Sequence, residues 1–246
     1  MDRDRYVPFT TVFNFRDLGG YPADGGRQVR TGVLYRSDGL HRLVEADLGR
    51  FAALDVRRVV DLRRTDEVAN YGRIPDSPGL DYHNVCLQTL AWTATEVAPG
   101  ELAGYLAQRY AEIADEAVGG AMARVLRLIA EDTAGGTVFH CMAGKDRTGV
   151  VAAVVLSLLG VDDDTVAADY AASRFSEQRY LAWRASTAPD APRYLPSSGD
   201  PAPAETMLVF LAGLRSRYGS VAGYVDAAGF GPADRELLRA RLLTPN

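Results

Sequence analysis

The sequence predicts an α/β fold, a short and mostly parallel central sheet flanked by many helices. Three observations carry that expectation. Short β-compatible runs at 32–37, 57–63 and 137–141 are separated by longer helical stretches, the alternation that parallel sheets require. Residues 148–159 are apolar nearly all round, which predicts a buried central helix rather than a surface one. Gly and Pro punctuate the chain without any internal repeat, low-complexity tract or charge block.

The elements follow in order. Residues 11–40 hold short β-like pieces broken by Gly-Gly pairs; Asn14-Phe15-Arg16-Asp17-Leu18-Gly19-Gly20 ends one, and Gly32-Val33-Leu34-Tyr35-Arg36-Ser37 forms another. Leu48, Phe51 and Leu54 stand at helical spacing within 45–54. Arg57-Arg58-Val59-Val60-Asp61-Leu62-Arg63 reads as a strand running into a loop. Residues 65–100 read as irregular, with Pro75, Pro78 and Pro99 as breakers. Residues 101–132 are mostly helical with a break at Gly119-Gly120, and Met122, Val125, Leu126 and Ile129 mark one buried face. A strand at 137–141, a Gly-containing loop, the buried helix and a further helix at 162–173 come next. Residues 186–204 carry five of the twelve prolines and read as a loop. Met207, Leu211, Leu214 and Tyr218 then share a helical face, and 232–243 makes the last helix. No stretch before residue 186 looks like an interdomain linker, so 1–246 is expected to be one domain.

Composition narrows the function. Of 246 residues, 47% are apolar and 24% charged, which suits a soluble globular chain and excludes a disordered or fibrous one. The net charge of −5 is the opposite of what holds a nucleic-acid backbone, so no nucleic-acid partner is expected. Three His and two Cys exclude a disulfide scaffold and leave little for zinc; no metal and no cofactor are expected. Met1-Asp2-Arg3-Asp4-Arg5 has no apolar run behind it, and the longest apolar stretch, 149–160, falls short of the ~20 residues that a membrane span needs. A cytoplasmic protein without an integral membrane segment is expected. Lys and Arg total 27, yet Lys145 is the single lysine.

That lysine stands in the most informative segment, Val138-Phe139-His140-Cys141-Met142-Ala143-Gly144-Lys145-Asp146-Arg147-Thr148-Gly149. A cysteine ends a strand, and an arginine follows six positions later at a helix start. The helix N-terminus offers unpaired N–H groups and a positive dipole end, and a tight loop before it turns further N–H groups inward. Arg147 adds a planar fork for two phosphate oxygens. Cys141 faces the same positive field, and a thiolate under a bound phosphoryl group is a nucleophile. A bare Cys-x5-Arg is common by chance, but the strand, the loop glycine and the Thr-Gly helix start are not.

The loop resembles the His-Cys-x5-Arg-Ser/Thr signature of cysteine-dependent phosphatases, and Ala-Gly-Lys-Asp-Arg-Thr-Gly resembles the bacterial PtpB-type tyrosine phosphatases. Asn14 to Gly20, Leu34-Tyr35-Arg36-Ser37, Val60-Asp61-Leu62-Arg63 and Asp169-Tyr170 agree with that narrower family. The resemblance implies the cysteine-phosphatase fold and attack on phosphorus by Cys141. It places Met142, Ala143, Gly144, Lys145, Asp146, Arg147 and Thr148 around the phosphate, with Thr148 toward the sulfur and His140 behind the loop. It leaves two acids open: Asp146, which the family places inside the loop, and Asp61, on the neighbouring strand. Lys145 matches a lysine with which related lipid phosphatases hold extra inositol phosphates, so the implied partners are phosphorylated protein or phosphoinositide. The family also implies a lid around 176–204, with Trp183 and Tyr194 on its underside, and leaderless secretion as an alternative location. Two other readings of the segment are a non-catalytic phosphate-binding module and a thiol-dependent sulfur-transfer or redox enzyme; the latter calls for a second cysteine near Cys141, and Cys86 is the only one.

Overall fold

The strands β1 (Arg16–Asp17), β2 (Leu34–Ser37), β3 (Val56–Asp61), β4 (Asp81–Asn84) and β5 (Gly136–His140) form one sheet in the order β1-β2-β5-β3-β4. The computed structural model describes residues 5–92, 97–98, 100–187 and 200–245. β2, β5, β3 and β4 run parallel, and only the edge strand β1 is antiparallel. The expected α/β architecture is therefore present. Successive residues along a strand face opposite ways, and β2, β3 and β5 carry apolar residues on both sides. Leu34, Val60 and Phe139 face the larger core; their neighbours Tyr35, Val59 and Val138 face a second core with Phe9, Phe15 and Phe51.

The helices are α1 (Glu45–Ala53), α2 (Thr65–Tyr71), α3 (Leu102–Ala117), α4 (Ala121–Ala130), α5 (Asp146–Leu158), α6 (Asp163–Ala171), α7 (Ser173–Thr187), α8 (Ala204–Tyr218), α9 (Val221–Ala227) and α10 (Pro232–Leu242). Every residue of α5 from Arg147 to Leu156 is buried, as its all-round apolar character predicts. Met122, Val125, Leu126 and Ile129 on α4 are fully covered.

Residues 65–100 are not uniformly irregular. They contain α2 and β4, and Pro75 and Pro78 lie between the two. β4 escapes a pattern search because Asp-Tyr-His-Asn on a sheet edge has no buried alternation. α7 was also not anticipated: its sequence has no sustained apolar face, and only Ser173 and Ser176 are buried. The breaker Pro99, Tyr194 and most of the proline-rich stretch, 188–199, lie outside the described residues. No helix among the described residues is long and apolar enough to cross a membrane. The chain leaving β2, β3 and β5 emerges at one edge of the sheet, where ligand sites of open parallel sheets form.

Candidate active site

Cys141 is the first residue beyond the central strand β5 and is 1% exposed. The register sets Ser37 and Asp61 on either side of His140. The chain then turns through 142–145 and enters α5 at Asp146. Gly144 makes this turn with φ +67°, and a Cβ there would stand 2.5 Å from the Ser37 carbonyl oxygen. Only glycine fits both the backbone and the gap.

The carbonyls of Met142, Ala143 and Gly144 are engaged from outside the turn. Met142 C=O accepts from the Gly39 N–H at 3.0 Å. Asn14 Nδ2 donates to the carbonyls of Ala143 at 3.1 Å and Gly144 at 3.0 Å. Arg36 donates to Gly144 C=O at 2.8 Å. In a trans peptide the N–H opposes the C=O, so the amides of Ala143, Gly144 and Lys145 face the inner side of the turn. That is an anion nest.

A buried ion cluster holds those outer donors. Asp169 on α6 pairs with Arg16 at 2.9 Å and Arg36 at 2.5 Å, and all three side chains are 0–1% exposed. Arg16 also donates to the side-chain oxygen of Asn14, and Ser176 donates to the same oxygen at 2.8 Å. Asp38 accepts from the Phe13 and Asn14 amides at 3.0 and 2.9 Å, fixing the segment that delivers Asn14. Burial pushes the Asp169 carboxyl up, but Arg16 and Arg36 bring it down to about 2.

Arg147 is gripped by Glu67 through two hydrogen bonds of 2.5 and 3.0 Å. Among the described residues these two bonds use two of its five donors. Burial works against the guanidinium charge, yet the Glu67 bonds and Cys141 raise its pKa above the ordinary value. Glu67 accepts from the Arg64 amide at 3.0 Å as well, so one carboxylate caps α2 and aims Arg147.

The two candidate acids sit differently. Asp61 is fully buried; it accepts from Arg63 Nε at 2.9 Å and Nη2 at 2.6 Å and from the Tyr82 hydroxyl at 2.9 Å. Burial pushes its carboxyl up, while His140 and the Arg63 fork pull it to about 2. Burial lowers the pKa of His140, so near neutral pH the Arg63 fork is the part of that pull that persists. Asp146 is 24% exposed and opens on a cavity of about 190 Å³ over the loop; it accepts from Tyr110 at 2.7 Å and lies 3.7 Å from Lys145 Nζ. Lys145 itself donates to Pro201 C=O at 3.2 Å. His140 Nδ1 lies 3.0 Å from Cys141 C=O, and Thr148 Oγ1 is buried without a hydrogen-bond partner among the described residues.

A family model described as the tyrosine phosphatase family matches residues 7–244. The chain belongs to the tyrosine phosphatase family. Triple specificity protein phosphatase PtpB of Mycobacterium tuberculosis is 32% identical over 94% of this chain and 97% of its own length. A Cupriavidus necator relative carrying a tyrosine-protein phosphatase name is 34% identical over 67% of this chain and 61% of its own. A tyrosine-protein phosphatase of Nostoc commune is 27% identical over 90% of this chain and 78% of its own. The likeness to PtpB-type enzymes read from the sequence is borne out.

The phosphatase brings together residues that sequence reasoning missed. Glu67 was hidden because a capping glutamate three residues after Arg64 signals only a helix start. Tyr110 lay in a helix read simply as core. Glu177 and Arg184 on α7 line the cavity with Met142, Ala143 and Lys145, and burial raises the Glu177 carboxyl. Cys86 and Cys141 are both free thiols. They follow β4 and β5 with β3 between, and two strand spacings, about 9.5 Å, exceed the reach of a disulfide. A larger groove of about 620 Å³ lies at the opposite end of the sheet by Gly32 and Gly135, but its Arg30, Arg127 and Arg241 are engaged by carbonyls and carboxylates of the protein.

The ion cluster makes stability acid-sensitive. Asp169 and Asp61 have folded-state pKa values depressed from 3.8 to about 2, so their stabilisation is full above the unfolded value and is lost as pH falls through the folded one. Asp169 contributes roughly 2 kcal/mol at neutral pH. Thermal midpoints should hold steady down to about pH 5 and fall steeply toward pH 2. Asp169→Asn, which strands two buried arginines, should lower stability by about 3 kcal/mol at pH 7 and flatten part of that acid limb. A variant with the wild-type midpoint and the wild-type limb would contradict the cluster's role.

Proposed function

We propose that this phosphatase, acting as one domain over 1–246, hydrolyses phosphotyrosine without a metal through a phosphocysteine intermediate. Phosphoserine, phosphothreonine and phosphoinositides are its further substrates. The observation that carries this reading is the turn after Cys141, whose outward carbonyls are all bound and whose amides therefore converge with Arg147. Cys141 Sγ attacks phosphorus and the P–O bond to the leaving group breaks. The amides and Arg147 hold the three phosphoryl oxygens as charge shifts onto them. Asp146 gives its proton to the departing oxygen, then takes one from the water that attacks the phosphocysteine. The S–P bond breaks, and the Thr148 hydroxyl, which has no hydrogen-bond partner among the described residues, stabilises the returning thiolate.

Asp61 is assigned to organising the site. Its oxygens are occupied by Arg63 and Tyr82, and a fully buried carboxylate with so many donors is poorly suited to delivering a proton. The polyphosphate reading rests on Lys145, whose ammonium is a mobile point charge at the cavity beside Arg42 and Arg184. A substrate bearing extra phosphates would compete with Pro201 C=O for it. α7 supports the reading of 176–204 as a lid: Glu177, Tyr180 and Arg184 line the cavity, and Tyr180 and Trp183 pack on Phe13 at 6.2 and 5.8 Å.

The acid assignment is tested by leaving groups. Asp146→Asn should cut turnover of an alkyl phosphate by about 10²-fold and that of p-nitrophenyl phosphate far less, since a stable phenolate needs little protonation. Asp61→Asn should lower both by a similar factor. The opposite pattern exchanges the two roles. For the lid, removal of 188–202 should speed inactivation of Cys141 by peroxide, because an uncovered thiolate is oxidised more readily; an unchanged rate speaks against a cover.

A further inference from the structure

The α6 dipeptide Asp169-Tyr170 acts on the loop from two sides. Asp169 anchors the outer donors, as described. Tyr170 is 1% exposed, and its hydroxyl lies 2.7 Å from that of Tyr110 on α3. Tyr110 is fully buried and donates to Asp146 Oδ1 at 2.7 Å. Its ring is boxed edge-on by Tyr170 at 5.8 Å and Phe210 at 6.3 Å and stacked on Trp92 at 6.3 Å. Gly149 opens the space for this approach: a Cβ there would meet the Tyr170 ring at 3.2 Å.

We propose that Tyr110, backed by Tyr170, is a positioning residue that determines which oxygen of Asp146 carries the transferable proton. This rests on the reading of Asp146 as the acid. A phenol has one proton. Burial holds both phenols protonated, raising Tyr110 well above its ordinary value and Tyr170 to about 12. Tyr110 spends its proton on Oδ1 and so accepts the proton of Tyr170, giving a relay directed from Tyr170 through Tyr110 to Asp146. Oδ1 is then an acceptor whether Asp146 is charged or neutral. The acid's proton resides on Oδ2, and the carboxyl cannot rotate without breaking the half-buried hydrogen bond from Tyr110. The other ionisable groups facing Asp146 are Lys145 and Arg147 from the loop and Glu177 from α7. Lys145 Nζ stands 3.7 Å from the same Oδ1, an ion-pair distance, whereas Tyr110 holds that oxygen at 2.7 Å.

The test compares Tyr110→Phe, Tyr170→Phe and Asp146→Asn on an alkyl phosphate and on p-nitrophenyl phosphate, with kcat/KM followed against pH. Tyr110→Phe should slow the alkyl substrate about tenfold and leave the aryl one within about twofold. Its basic limb should move to higher pH, because removing a donor to a carboxylate makes that carboxylate hold its proton longer. In an Asp146→Asn background Tyr110→Phe should cost nothing further. Tyr170→Phe should show the same pattern at smaller size, and it decides the matter if circular dichroism shows Tyr110→Phe to be misfolded. Equal losses on both substrates, an unmoved limb, or an additive loss in the Asp146→Asn background overturns the positioning role while leaving the acid assignment standing. An Asp146→Asn enzyme without leaving-group dependence overturns the acid assignment first and this inference with it.

Discussion

The capture of three consecutive carbonyls on the outside of the loop after Cys141 is the constraint from which the rest of the site follows. A short turn with free carbonyls would be as ready to repel an anion as to bind it, since each peptide presents a negative and a positive end. Here Gly39, Asn14 and Arg36 take up the negative ends. Trans geometry then fixes the direction of the amides. The buried Asp169–Arg16–Arg36 cluster exists at the expense of desolvating three charges, which an apolar core would not require. Its return is positional: Arg36 and Asn14 are held against the carbonyls of Ala143 and Gly144, so the loop is shaped from its outer side.

The same economy of dual use appears on the inner side. Glu67 caps α2 and aims Arg147 with one carboxylate. Asp61 closes Arg63 and Tyr82 against the end of β3, beside the His140 that precedes Cys141. The loop is thus held from β2, β3, α2 and α6 at once.

Much of this was legible in the sequence because it is local. The strand, the turn glycine, Arg147 and the apolar α5 form one unbroken segment from Gly136 to Leu158, and hydrophobic pattern alone marks the strand and the helix. Asn14, Arg36 and Asp169 were visible only as agreement with a family; nothing in their local pattern says that they meet. β4 and α7 were missed because edge strands and half-exposed helices bury too little apolar surface to leave a period. Glu67 and Tyr110 were missed for another reason. Each looks like an ordinary capping glutamate or core tyrosine, and its second partner lies 80 or 36 residues away in the chain.

The claim on which everything else depends is that the phosphoryl group passes through Cys141. The most direct measurement is to mix the protein with p-nitrophenyl phosphate, quench in acid within milliseconds, and map the phosphoryl mass by peptide mass spectrometry. The account predicts that it is found on Cys141, that it forms as fast as nitrophenolate appears, and that it is absent from Cys141→Ser, which binds phosphate but does not turn over. Phosphoryl on another side chain, or turnover by Cys141→Ser within about tenfold of the wild type, contradicts it.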